Sequence, residues 1–186
     1  MPVFMSMTAN LSVEERNKTA KKASIVSFFT IIAFALTGQL LFKFFGISVN
    51  SFRVVGGVIF FIMGMDMLQA RLGQVKIKDD EVKNYITDIS ITPLAIPMIC
   101  GPGAITNAIV LMEDATTLIK KSILLISISL ITAFTYLILY SSSKLIKLLG
   151  QTGINVMMRI MGLIVMVIAV EFFFSGLKPI ILDMLK

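Results

Sequence analysis

The chain predicts an all-α fold: a polytopic membrane helical bundle of two inverted three-helix repeats, with the first span truncated. Three observations carry this expectation. First, of 186 residues 56% are hydrophobic and only 15% charged, against about 25% charged in soluble domains, and mean hydropathy is +0.91. Second, the charges gather between uncharged stretches near the ~20 residues needed to cross a bilayer. Third, the halves repeat one succession of features: a Pro-bearing apolar start, a charged loop ending in Lys-Lys, a long clean span, a Gly-containing turn, and a helix opened by Arg. Arg53-Val54-Val55-Gly56 matches Arg159-Ile160-Met161-Gly162. A unit with an odd number of spans must be inserted upside down the second time, as in many secondary transporters. The expected units are 1–72 (partial span 1, spans 2 and 3), a linker at 73–90, and 91–186 (spans 4 to 6).

Composition also excludes. The net charge of +6 comes from lysines and arginines between apolar segments, with no basic cluster interleaved with aromatics, so nucleic acid is not an expected partner. The one cysteine, Cys100, lies in an apolar run and has no intramolecular disulfide partner; without histidine there is no Cys/His metal set. Cys100 reads as a small packing residue, and no cofactor or metal is expected. Residues 1–13 lack a secretory signal's positive start and cleavage motif. A membrane enzyme is disfavoured: there is no histidine and no closely spaced pair of intramembrane carboxylates.

In chain order, 1–7 is apolar and 8–22 polar. Ser12, with Glu15 three residues on, reads as a capping box starting a helix, and Lys21 and Lys22 mark a membrane boundary. Residues 23–42 are uncharged and span, with Lys43 able to snorkel. A turn at 44–51 contains Gly46. Residues 52–68 form the next span, where Gly56, Gly57 and Gly64 offer small faces for close helix approach. The longest polar connection is 69–88. An uncharged run of 24 residues follows, 89–112, closed by Glu113 and Asp114. Residues 122–143 span again, 144–155 read as a loop with Gly150 and Gly153, and Arg159 opens a last span expected to end near Leu177, leaving a tail from Lys178-Pro179.

The 89–112 run organises the chain. It holds Pro93, Pro97 and Pro102, the last between Gly101 and Gly103. A proline removes a backbone donor and pushes the residue before it out of helical geometry. The helix should therefore break near the bilayer midplane, where open backbone is tolerated only beside protein or a watery cavity. The half that restarts at Pro102 presents unpaired amides and a partial positive charge, an anion site. A packing kink is the plainer alternative. Eleven of the seventeen Lys and Arg fall on the side holding 9–22, 69–88 and 144–159. That side is then cytoplasmic and both termini lie outside.

The run Pro-Leu-Ala-Ile-Pro-Met-Ile-Cys-Gly-Pro-Gly-Ala-Ile at 93–105 resembles the signature of the MarC family, also classed as neutral amino acid transporters. The stretches at 2–8, 45–48, 52–53, 153–156 and 159–163 resemble it too, so the likeness covers nearly the whole chain. It implies a six-span inner-membrane protein transporting small neutral amino acids such as glycine or alanine, with Gly101, Pro102, Gly103 and Ala104 as the break in the fourth span. Family members begin with a full first span carrying an Asn-Pro-x-Gly break ahead of the position matched by Pro2. Here that stretch has no counterpart. The reading frame is therefore expected to continue upstream of Met1 with an Asn-Pro-x-Gly sequence; sequencing the locus checks this, and a stop codon just before Met1 would refute it.

Around the break, Thr106 and Asn107 either hydrogen-bond a bound solute or cap and pack. Arg53 and Arg159 either snorkel to headgroups or pair with intramembrane acids and gate a cavity. Asp66 and Glu171 are either interfacial charges or a site for a coupling proton or sodium. The leading expectation is a secondary transporter or exporter that rocks one three-span unit against the other. The alternative is a channel or a non-transporting membrane partner.

Overall fold

The computed structural model describes residues 1–69 and 82–185. Within them the protein is helical: α1 (Pro2–Met7), α2 (Val13–Phe45), α3 (Val49–Leu68), α4 (Val82–Ile89), an irregular wide-turned arm (Ser90–Ile99), α5 (Pro102–Asp114), α6 (Leu118–Tyr140) and α7 (Ser142–Met184). Among the described residues four helical segments are each long and apolar enough to cross a membrane, and Ile86–Ile99 with α5 forms a bent pair that has the geometry of a broken span or a re-entrant loop. Half of the expected linker, 73–81, lies outside the described residues, and the rest is α4 and the start of the arm.

The capping box forms as expected. The Ser12 amide donates to Glu15 Oε2 at 2.8 Å and the Glu15 amide to Ser12 Oγ at 3.3 Å. From there α2 runs unbroken through Lys21 and Lys22 into the apolar stretch. Its 33 residues make a rod of about 50 Å, longer than the ~30 Å hydrocarbon layer, so its first turns stand at headgroup level. Gly46 ends it at φ 64°, a left-handed cap that a Cβ disfavours. Ser48 then caps α3 by accepting from the Ser51 amide at 2.9 Å.

Two boundaries differ from expectation. Residues 144–155 are helical rather than a loop, interrupted only at Gly150 (φ 61°, ψ 179°). Ile154 and Met158, four apart, are both fully buried, and that apolar face holds the helix despite Gly153. The last helix also does not stop near Leu177; it carries Pro179 and reaches Met184.

The core is built around the chain's start. All six residues of α1 are buried. Val3, Phe4 and Met5 cluster with Met67 of α3, Leu94 of the arm, and Ile154 and Met158 of α7. Arg16 is 6% exposed and binds this region together. Its guanidinium donates to the Thr8 carbonyl at 3.0 Å, the Leu11 carbonyl at 3.1 Å and Ser143 Oγ at 3.2 Å.

α3 and α7 pack antiparallel along a seam of glycines. A Cβ at Gly57 would lie 2.8 Å from the Ala169 carbonyl oxygen, one at Gly64 3.0 Å from the Gly162 carbonyl oxygen, and one at Gly162 2.8 Å from the Gly64 carbonyl oxygen. Backbone meets backbone because no side chain intervenes, the close approach that small residues permit between membrane helices.

Candidate functional site

The predicted break is present. The Pro93 and Pro97 rings force Thr92 (φ −128°, ψ 122°) and Ile96 (φ −127°, ψ 122°) into extended backbone. The arm is fastened to α2 by Ser27 Oγ, which lies 3.5 Å from the Ala95 carbonyl oxygen, and by Ser90 Oγ, 3.5 Å from that of Thr19. Gly101 is the extended N-cap of α5 and Pro102 its first residue, where a missing amide costs nothing. Arm and α5 meet at a bend of 59°. α5 then runs 13 residues to Asp114, about 20 Å, which separates the break from the charges at Glu113 and Asp114.

Gly101 brings no side chain to cap α5. The Ile105 amide returns to the Gly101 carbonyl at 3.0 Å, leaving the amides of Gly103 and Ala104 as donors of the first turn without a partner among the described residues. Gly103 and Ala104 are half-buried, whereas Gly101 and Pro102 are buried. The surroundings are apolar. A Cβ on Gly101 would lie 2.5 Å from Phe60 Cζ, and Gly56 of α3 gives room for the Pro102 ring. Phe172 of α7 stands 3.7 Å from where a Gly103 Cβ would be. The Phe60 and Phe172 rings are 6.4 Å apart between centroids. Unpaired donors thus face a low-dielectric wall, where an anion's hydrogen bonds are strengthened.

The other predicted residues divide. Thr106 is buried and its hydroxyl donates to the Gly103 carbonyl at 3.1 Å, so it braces the first turn of α5. Asn107 is exposed. Arg53 and Asp66 are half-buried on α3, while Arg159 and Glu171 are exposed on α7. The antiparallel seam sets Asp66 and Arg159 toward one end and Arg53 and Glu171 toward the other. Neither pair is in contact: among the described residues the one ion pair is Lys18–Glu14 at 2.8 Å. Cys100 is fully buried beside the break, clustered with Phe42, Ile105 and Ile109. Phe60 and Phe172, which wall the site, were not singled out from the sequence; only their apolar character was visible there.

The family model for MarC family integral membrane proteins matches residues 1–181. The chain belongs to the MarC family. MarC relatives align along most of its length. A UPF0056 membrane protein of Pyrococcus horikoshii is 43% identical over 178 residues, covering 96% of this chain and 86% of the relative. A UPF0056 membrane protein of Bacillus subtilis is 37% identical over 181 residues, 96% and 86% of the two chains, and one of Methanocaldococcus jannaschii 34% identical over 183 residues, 98% and 89%. No solved structure matches the chain. This MarC protein is an integral multi-pass membrane protein.

Proposed function

We propose that the protein is a secondary transporter or exporter of a small neutral amino acid, such as glycine or alanine, in the inner membrane. The observation that carries the reading is the restart of α5 at Gly101-Pro102 inside an uncharged stretch, with the Gly103 and Ala104 amides uncapped. A substrate carboxylate would accept from those amides at the positive end of the helix dipole, the use that discontinuous transporter helices make of such ends. Phe60 and Phe172 leave room for a small side chain at most. Their closure over the break suits an occluded state, from which access to either side requires them to part. Asp66 and Glu171 are the candidates for a coupling proton or sodium, with Arg53 and Arg159 as gating cations. The charge asymmetry favours a cytoplasmic middle loop with both termini outside.

The test is uptake of radiolabelled glycine or alanine by proteoliposomes, with and without ion gradients. Gly103→Leu is the informative variant, because its Cβ would meet Phe172 at an ordinary 3.7 Å and the larger side chain covers the donors. Uptake should be abolished with the unfolding midpoint retained. Unchanged uptake refutes the site. A saturable rate supports a carrier; flux linear in solute favours the channel alternative.

A further inference from the structure

We propose that the groove between α2 and α6 holds one anionic phospholipid, with its phosphate between Lys21 and Lys144 and an acyl chain along Phe28 and Ala133. This stands apart from the transport reading and uses none of its residues.

The chemistry of the groove changes in order along its length. On α2, Asn17, Lys21, Ser24 and Phe28 are three or four residues apart and share a face. On α6, Ala133, Tyr136 and Tyr140 do the same, with the two tyrosine rings 6.0 Å apart. At the outer end is a hollow of about 300 Å³ of mixed character, lined by Val13, Asn17, Tyr140, Ser141, Ser143 and Lys144. One turn inward, a hollow of about 570 Å³ runs from Lys21 and Ser24 past Ile25 and Phe28 to Ala133 and Tyr136. Cation, hydroxyl and apolar wall thus succeed one another as phosphate, ester and acyl chain do in a glycerophospholipid. Lys21 and Ser24 differ by about 4.5 Å in height, the scale separating a phosphate from its glycerol ester.

Two further observations point to this occupant. Ser24 lines the groove and is only 4% exposed, and its hydroxyl has no hydrogen-bond partner among the described residues; a buried hydroxyl needs an acceptor, which an ester carbonyl reaching it would supply. Lys21 and Lys144 have no ion-pair partner among the described residues, whereas Lys18 is held by Glu14 and Lys22 Nζ donates to Thr87 Oγ1 at 2.9 Å. A second copy of the chain docked here would cover the aromatic part but leave both ammonium groups and Ser24 without acceptors. A zwitterionic lipid would bring a cation of its own.

The experiment is native mass spectrometry of the full chain in non-ionic detergent, titrated with phosphatidylglycerol or phosphatidylcholine of the same acyl chains. At about 1 kcal/mol per lysine near the headgroups, phosphatidylglycerol should be retained roughly tenfold or more over phosphatidylcholine. Lys21→Gln with Lys144→Gln should remove that preference. Ala133→Trp, which fills the apolar part from the exposed face of α6, should reduce both lipids alike. Circular dichroism melting without lipid checks each fold, and Lys144→Gln alone, expected to lose part of the preference, replaces the double variant if that fails to fold. Equal retention of the two lipids, a preference untouched by the lysine changes, or a dimer cross-linked through Ala133→Cys would overturn the proposal.

Discussion

Gly162→Ile should leave the protein largely unfolded or aggregated on solubilisation. A Cβ at Gly162 would sit 2.8 Å from both the Gly64 carbonyl oxygen and the Leu68 amide nitrogen of α3. Those are backbone atoms held in a helix, so neither rotates away, and α3 and α7 must separate. Overpacking costs about 1–3 kcal/mol, occasionally more, and here the separation also loosens the contacts at Gly57 and Gly64. Gly162→Ala should be the milder case, lowering the melting midpoint without abolishing folding. Gly103→Ala serves as control, since its Cβ has room. Fluorescence-detected size exclusion and thermal melting in detergent read the outcome. A monodisperse Gly162→Ile protein with an unshifted midpoint would remove the seam from the account.

Arg16→Met is the second large effect. The side chain is buried and gives hydrogen bonds to two carbonyls and a hydroxyl from three parts of the chain. Thr8 keeps the Leu11 amide as a donor to its carbonyl at 3.1 Å, but among the described residues the Leu11 carbonyl and Ser143 lose theirs. With a cost of about 1–3 kcal/mol for each buried group left unsatisfied, a loss of roughly 2–6 kcal/mol follows. Arg16→Lys should recover only part of it, because an ammonium cannot reproduce the guanidinium fork. Chemical unfolding in mixed micelles measures the difference. An Arg16→Met protein as stable as the parent would mean that α1 and the turn at 8–11 hold their place by apolar packing alone.

Much of this was legible in the sequence, and the reason is the lipid. Charge is so costly in hydrocarbon that it is set aside between the apolar stretches, and each of those stretches is helical here, although α2 begins at Val13, well before Lys21, and α6 at Leu118. The break at Gly101-Pro102 was equally plain, because proline's missing amide acts locally. What depended on contact between distant segments was not legible. Arg16 counted only as one more positive charge near a boundary; nothing near it in sequence announces that Ser143 would meet it. The helix through Gly153 and Pro179 was misjudged for a related reason. Local propensity argued for stopping, and burial of Ile154 and Met158, with continuity of the apolar stretch, overrode it. At the break, Gly101, Pro102 and Gly103 could be named from the residues and Ala104 from the family resemblance, but not that Thr106 would be buried and Asn107 exposed.

The glycine seam has a consequence for how such a protein moves. α3 and α7 come from opposite halves of the chain, yet they make backbone-to-backbone contact, with Phe173 and Met166 set into the notches at Gly57 and Gly64. Swinging the two halves apart as rigid blocks would tear this junction first. Under the proposed transport cycle, a displacement that spares it would hold α3 and α7 together as a stator while α2, α5 and α6 shift against them.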